Sequence, residues 1–152
     1  MRVFLVRHAD AGDRESWIGD DRSRPLSNKG WRQASGLVQL LEGEAVVRVL
    51  SSPYLRCIQT VEPLGAARGL TPEPEAALEE GSDWRVALGL IRDSQVPTVM
   101  CSQGDVIGSV VHDLVGEGLA DPDARSQKGA TWVLDVENGR VAAARYLPPR
   151  RA

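Results

Sequence analysis

The run Val3-Phe4-Leu5-Val6 constrains this chain more than any other feature. Four apolar side chains in succession leave neither face of a strand for water, so the segment reads as a buried strand. It ends abruptly in Arg7-His8-Ala9-Asp10. In an open α/β sheet, ligands bind at the carboxyl ends of the strands. An imidazole is a competent nucleophile at neutral pH, and a guanidinium beside it offers forked donors suited to a phosphate or carboxylate. Taken alone, Arg7-His8 is either a solvated strand end or the beginning of a site.

Strand-like and helix-like patterns alternate along the rest of the chain, which is the signature of an α/β fold. After a charged loop from Arg14 to Arg24, Ala34, Leu37, Val38 and Leu41 fall on one helical face, with Ser27 as N-cap and Gly43 as terminator. A second strand is expected over Ala45 to Leu50. Ser51-Ser52-Pro53 then caps a helix with proline at its first position, carrying Leu55, Ile58, Val61 and Leu64. Thr71 to Leu78, interrupted by Pro72 and Pro74, has room only for a short edge strand. Trp84, Leu88 and Ile91 fit a third helix capped by Ser82 or Asp83, and Pro97 to Cys101 is another buried strand. A fourth helix carries Ile107, Val110, Val111 and Leu114. Glu137-Asn138-Gly139 marks a hairpin between Ala130–Val136 and Arg140–Tyr146.

With 152 residues, the chain is expected to form one domain over 1–152. A net charge of −3 argues against a nucleic-acid polymer as partner, since backbone binding needs a basic face. No apolar stretch approaches the ~20 residues of a membrane span, and no signal-peptide pattern follows Met1, so no membrane partner and a cytoplasmic location are expected. Cys57 and Cys101 lie in no metal-ligand spacing and read as buried reduced thiols, with neither metal nor cofactor.

Three chemically equipped segments thus sit at strand exits: Arg7-His8, Ser51 to Arg56, and Ser102 to Asp105. If their strands are parallel neighbours, the exits face one crevice, where helix-start amides favour anions. Arg7 and Arg56 could then hold one phosphate bidentately. The bland alternative has Arg56 solvating its helix.

Arg7-His8-Ala9, then Arg24-Pro25-Leu26-Ser27-Asn28-Lys29-Gly30, then Ser51-Ser52-Pro53-Tyr54-Leu55-Arg56 through Thr60, resembles in that order the histidine phosphatase, or phosphoglycerate-mutase-like, superfamily. The first two segments are similar to its short SixA-type phosphohistidine phosphatases. The resemblance implies a three-layer α/β/α sandwich with a mostly parallel sheet and a C-terminal antiparallel hairpin. It implies a catalytic set of His8, Arg7, Arg56 and an acid: His8 accepts a phosphoryl group, Arg7 and Arg56 hold its oxygens, and the acid protonates the leaving group. Ala77-Leu78-Glu79-Glu80-Gly81 resembles the family's Leu-x-Glu segment and selects Glu80 over Glu79 as that acid.

The pattern departs at Cys101-Ser102-Gln103-Gly104-Asp105, where the family carries Ser-His-Gly. Gln103 takes the second histidine's place, with Ser102 and Gly104 beside it as substrate-binding residues. His112 is nine residues further along the same helix, about 13 Å away, and cannot substitute. A glutamine donates a hydrogen bond but carries no charge, a loss of roughly 1 to 3 kcal/mol, or ten- to a hundred-fold in rate. The leading reading is a phosphatase acting on a small-molecule or protein phosphate ester, be it a phosphomonoester, a phosphohistidine or a nucleoside di- or polyphosphate. Its alternatives are a silent phosphate-binding module and, less favoured in so short a chain, a phosphotransferase. Cys101 to Gly104, Lys128 to Leu134 and the Asp20/Asp21 to Leu26 segment also look like the phosphatase-type domain following a Nudix domain in some actinobacterial nucleotide hydrolases. That likeness implies a Nudix-type partner and suggests Lys128 as an extra phosphate contact. Trp17, on the loop bordering the site, reads as a packing residue.

Overall fold

The computed structural model describes residues 1–152. Its elements alternate: β1 (Arg2–Arg7), α1 (Asn28–Leu40), β2 (Arg48–Ser51), α2 (Leu55–Arg68), β3 (Glu73–Pro74), α3 (Trp84–Asp93), β4 (Thr98–Ser102), α4 (Gly104–Gly116), β5 (Thr131–Glu137) and β6 (Arg140–Leu147). Short 3₁₀ turns occupy Arg14–Ser16, Asp21–Ser23 and Ala76–Leu78. The sheet order is β3-β2-β4-β1-β5-β6, with the first four strands parallel and β5 and β6 antiparallel. The apolar run of β1 therefore lies inside the sheet, between β4 and β5.

Side chains two apart on a strand share a face, and here both faces are covered. Val3, Leu5, Leu50, Met100, Trp132 and Leu134 pack with α3 and α4; Phe4, Val6, Val49, Val99, Cys101 and Val133 pack with α1 and α2. That is the three-layer sandwich. Cys57 and Cys101 are buried free thiols. No helix is long and apolar enough to cross a membrane.

Several boundaries move from those expected. α1 is capped by Ser27, whose hydroxyl accepts from Gly30 N, but it ends at Leu41 rather than Gly43. A turn from Leu41 to Glu44 absorbs the last carbonyls without any left-handed residue. β2 runs later than expected and includes Ser51, because Cys101 and Pro74 supply ladder partners there. α2 consequently starts at Leu55, two residues after Pro53, with Tyr54 as a cap that makes no side-chain hydrogen bond. Asn138 and Gly139, at φ 53° and 72°, form the expected hairpin turn.

Candidate functional site

Parallel pairing brings the three exits together. His8 N donates to Ser102 O (3.1 Å), Ser52 N to Cys101 O (2.9 Å), and Gly129 N to His8 O (3.0 Å). The result is a cleft of about 410 Å³ with no hydrophobic residue in its lining, which includes Arg7, His8, Arg14, Arg24, Glu80 and Lys128.

His8 is only 6 % exposed. Its Nδ1 lies 2.8 Å from Ala9 O. A carbonyl only accepts, so Nδ1 carries the proton and Nε2 keeps the lone pair. Burial pushes the imidazole pKa down to about 3, aided by the charges of Arg56, Arg7 and Lys128 and opposed by the Ala9 carbonyl. His8 is therefore held neutral at physiological pH, with its Nε2 unprotonated. The following residue is pinned as well: Ala9 N donates to Thr60 Oγ1 (2.8 Å), whose hydroxyl donates to Arg56 O (2.6 Å).

Arg7 donates through Nη1 to Ser126 O (2.6 Å) and packs over Gly104. A Cβ at position 104 would stand 3.0 Å from the Arg7 guanidinium, so glycine there lets Arg7 lie this close without shifting. Burial lowers the Arg7 pKa. Arg56 is fully buried. Its fork grips Asp21 rather than open space: Nη1 donates to Asp21 O (2.9 Å) and Nη2 to Asp21 Oδ2 (3.1 Å). Arg7 is held through one η nitrogen and Arg56 through both, and in each the Nε is buried without a partner. Gln103, 1 % exposed, likewise leaves both amide atoms unpaired.

Two glutamates that the sequence left close in rank are separated by their contacts. Glu80 lines the cleft, accepts from Arg14 Nη2 (2.8 Å) and stands 3.9 Å from Arg56 Nη2. Glu79 is off the cleft, paired with Arg22 (3.3 Å). Ser102 does not face the cleft: its hydroxyl donates to Leu78 O (2.6 Å), fastening the turn that leads to Glu80 onto β4. Asp105 strengthens the same attachment by accepting from Gly81 N (2.8 Å). His112 sits exposed on α4. Trp17 donates its indole N–H to Asp20 O within its own loop.

Asp21 is the residue that sequence reading passed over. Its carboxylate also accepts from Arg24 Nε (3.1 Å) and stands 3.5 Å from Arg14 Nε, joining these two arginines of the cleft lining to the buried Arg56 behind it. Desolvation raises its pKa, but Arg24, Arg56 and Arg14 outweigh that and hold it below the usual carboxylate range. No local pattern distinguishes Asp21 from Asp13 or Asp20, and its partner Arg56 is 35 residues away.

A family model described as histidine phosphatase superfamily (branch 1) matches residues 3–90, more than half of the chain. The 8-oxo-(d)GTP phosphatase of Mycolicibacterium smegmatis is 34 % identical over 154 positions, covering 97 % of this chain and 48 % of that protein. The phosphohistidine phosphatase SixA of Escherichia coli is 38 % identical over 82 positions, 52 % of this chain and 48 % of its own. The chain thus spans about half the length of these curated relatives. The solved structure of the protein histidine phosphatase SixA complexed with tungstate superposes with a TM-score of 0.77 at 24 % identity, covering 99 % of this chain and 97 % of that one, so the α/β/α architecture is shared. The chain belongs to the histidine phosphatase superfamily, branch 1.

Proposed function

We propose that this chain is a phosphohydrolase working through a phosphohistidine on His8. The observation that carries the reading is the set of buried polar atoms without partners. Apart from Thr131 Oγ1, all of them belong to Arg7, Arg56 and Gln103, the residues read from sequence as phosphate holders. Buried N–H groups are rarely left unpaired, and three of them beside a neutral imidazole suit a tetrahedral oxyanion.

In the first step the Nε2 lone pair of His8 attacks phosphorus, the bond to the leaving oxygen breaks, and Glu80 gives that oxygen its proton. In the second, water attacks phosphorus, its proton goes to Glu80, and the P–N bond breaks to release inorganic phosphate. Arg14, which holds Glu80 in the free cleft, is drawn to the incoming phosphoryl oxygens and frees the carboxyl for the leaving group. Gln103 Nε2 donates to a phosphoryl oxygen without charge, and Gly104 lets Arg7 approach.

The likeness to the M. smegmatis 8-oxo-(d)GTP phosphatase along nearly the whole chain supports a nucleoside di- or polyphosphate, and the SixA likeness supports phosphohistidine. A Nudix-type partner rests on sequence resemblance alone and is tested by co-purification. For the activity, the protein is incubated with a phosphohistidine peptide, a nucleoside diphosphate and a sugar phosphate. Acid-labile phosphate on His8 with release of free phosphate, both lost in His8→Ala, is the expected result. Binding without turnover across the panel overturns it in favour of a silent phosphate-binding module.

A further inference from the structure

Beyond the phosphate cleft, and resting on the reading of it given above, a second depression of about 460 Å³ runs along α4. It is lined by Trp84, Gly104, Asp105, Gly108, Ser109 and His112, and it shares Gly104 and Asp105 with the cleft. We infer that this groove receives the leaving group, and that the leaving group carries a nucleoside: a sugar on the phosphate side, ending in a flat aromatic base.

The direction comes from the acid loop. Gly81, next to Glu80, is tied to Asp105, and Gly104 and Asp105 line both the cleft and the groove, so the groove opens on the cleft beside the acid loop. Asp105, Ser109 and His112 then follow at helical spacing over seven residues, about 10 Å, which matches the reach from a sugar to the far edge of a base. They offer one carboxylate oxygen left over from Gly81, a hydroxyl and an imidazole, groups able to bond sugar hydroxyls and base edges. Trp84 supplies an aromatic wall, with Arg85 stacked 4.9 Å from its ring centroid. Base-on-indole stacking is the usual way a protein holds a base regardless of its identity. Gly108 keeps the groove open. A Cβ there would meet nothing within 4 Å, so packing does not call for a glycine that weakens the middle of a helix.

The shallower dimple around Trp17, Pro25 and Leu26 also adjoins the cleft, but Asp13 and Arg14 stand at that side of it and Trp17 is bound to its own loop. The groove on α4 also gives a place to His112, which the phosphate chemistry leaves idle.

The test compares a nucleoside 5′-monophosphate with ribose 5-phosphate, a pair differing only by the base. Dissociation constants are measured on the His8→Ala protein, and kcat/KM on the unsubstituted one. The expected preference for the nucleotide is at least about tenfold in binding. Gly108→Leu, which fills the groove without touching the cleft, and Trp84→Ala each bring the ratio towards one. Because the ratio is read by binding as well as turnover, an inactive protein that still prefers the nucleotide sinks the catalytic reading and spares this one. Equal affinity for both ligands overturns the inference. So does a preference that survives Gly108→Leu but is lost in Trp17→Ala.

Discussion

The two walls of the cleft around His8 are built by different means. Arg7, His8 and Gln103 stand at the ends of β1 and β4, on backbone locked into the parallel ladder, and they are nearly or wholly without partners among charged side chains. Arg14, Asp21, Arg24 and Glu80 stand on loops and 3₁₀ turns and satisfy one another through ion pairs. The strand wall holds buried donors and a neutral imidazole with few partners in the protein, whereas the loop wall is already neutralised by its own ion pairs. Arg56 joins them, with its fork in the loop wall and its Nε unpaired. On the proposed function, an incoming phosphate would complete the first wall and have to compete with the second.

That contrast is broken most severely at Arg56. Arg56→Ala removes a buried charge that serves both walls and leaves Asp21 without its deepest partner. Losing the one charge-assisted hydrogen bond that the unpaired Arg56 Nε can offer, at about 1.5–3 kcal/mol, puts the expected fall in kcat/KM at roughly 10- to 10²-fold. Arg56→Lys, which keeps the charge but not the fork, recovers little of it. Steady-state kinetics with any substrate of the protein checks this; a fall under tenfold places the phosphate away from Arg56.

The strand wall also sets an acid sensitivity. Native His8, desolvated first and then repelled by Arg56, Arg7 and Lys128, stays neutral down to about pH 3, while an unfolded histidine titrates near 6.5. Below pH 6.5 the unfolded chain binds a proton that the native chain refuses, so stability falls as pH drops from 6.5 towards 3, and His8 has no such effect above 6.5. At pH 5 the loss comes to ~2 kcal/mol. Urea unfolding at pH 7 and pH 5 is therefore expected to show a drop that is smaller by that amount in His8→Asn. Equal drops in both proteins place a proton on native His8.

The strand wall and Glu80 were read from the sequence and the ion pairing of the loop wall was not, for a physical reason. Val3 to Val6, the Ser27 cap, the Asn138-Gly139 turn and the positions of Arg7, His8 and Gln103 follow from signals a few residues long. Even there the reach is limited: β2 extends to Ser51 and α2 waits until Leu55 because of ladder partners on other strands. Asp21 belongs to a charged loop without periodicity, and its role exists only once Arg56 arrives from 35 residues away. Ser102 shows the converse, a residue adjacent to site residues whose hydroxyl serves the Leu78 carbonyl.

Gln103 offers a smaller and sharper test of the strand wall. Gln103→His places there the histidine that the sequence resemblance implies for this position, where both amide atoms of Gln103 lack partners. A protonated imidazole adds charge assistance to one phosphoryl contact, but Arg7 and Arg56 oppose that proton. The expected gain in kcat is up to about tenfold, largest at the acid end of the pH profile and fading as pH rises. A gain of the same size at every pH means that shape, not charge, was missing.

The smallest effect belongs to the loop wall. Arg14 makes the shortest ion pair to Glu80, at 2.8 Å, yet its side chain is 56 % exposed. Exposed pairs contribute little because water screens them and ordering two long side chains costs entropy. Arg14→Gln keeps a donor within reach of Glu80 and removes a charge that a bound phosphate draws away from the carboxylate in any case. The loss of the pair in the free protein and of the contact in the complex then largely cancel, and kcat/KM is expected to change by less than about threefold. A fall beyond tenfold, measured beside Arg56→Ala, makes Arg14 a phosphate ligand of the same rank and dissolves the distinction between a wall that binds and a wall that balances.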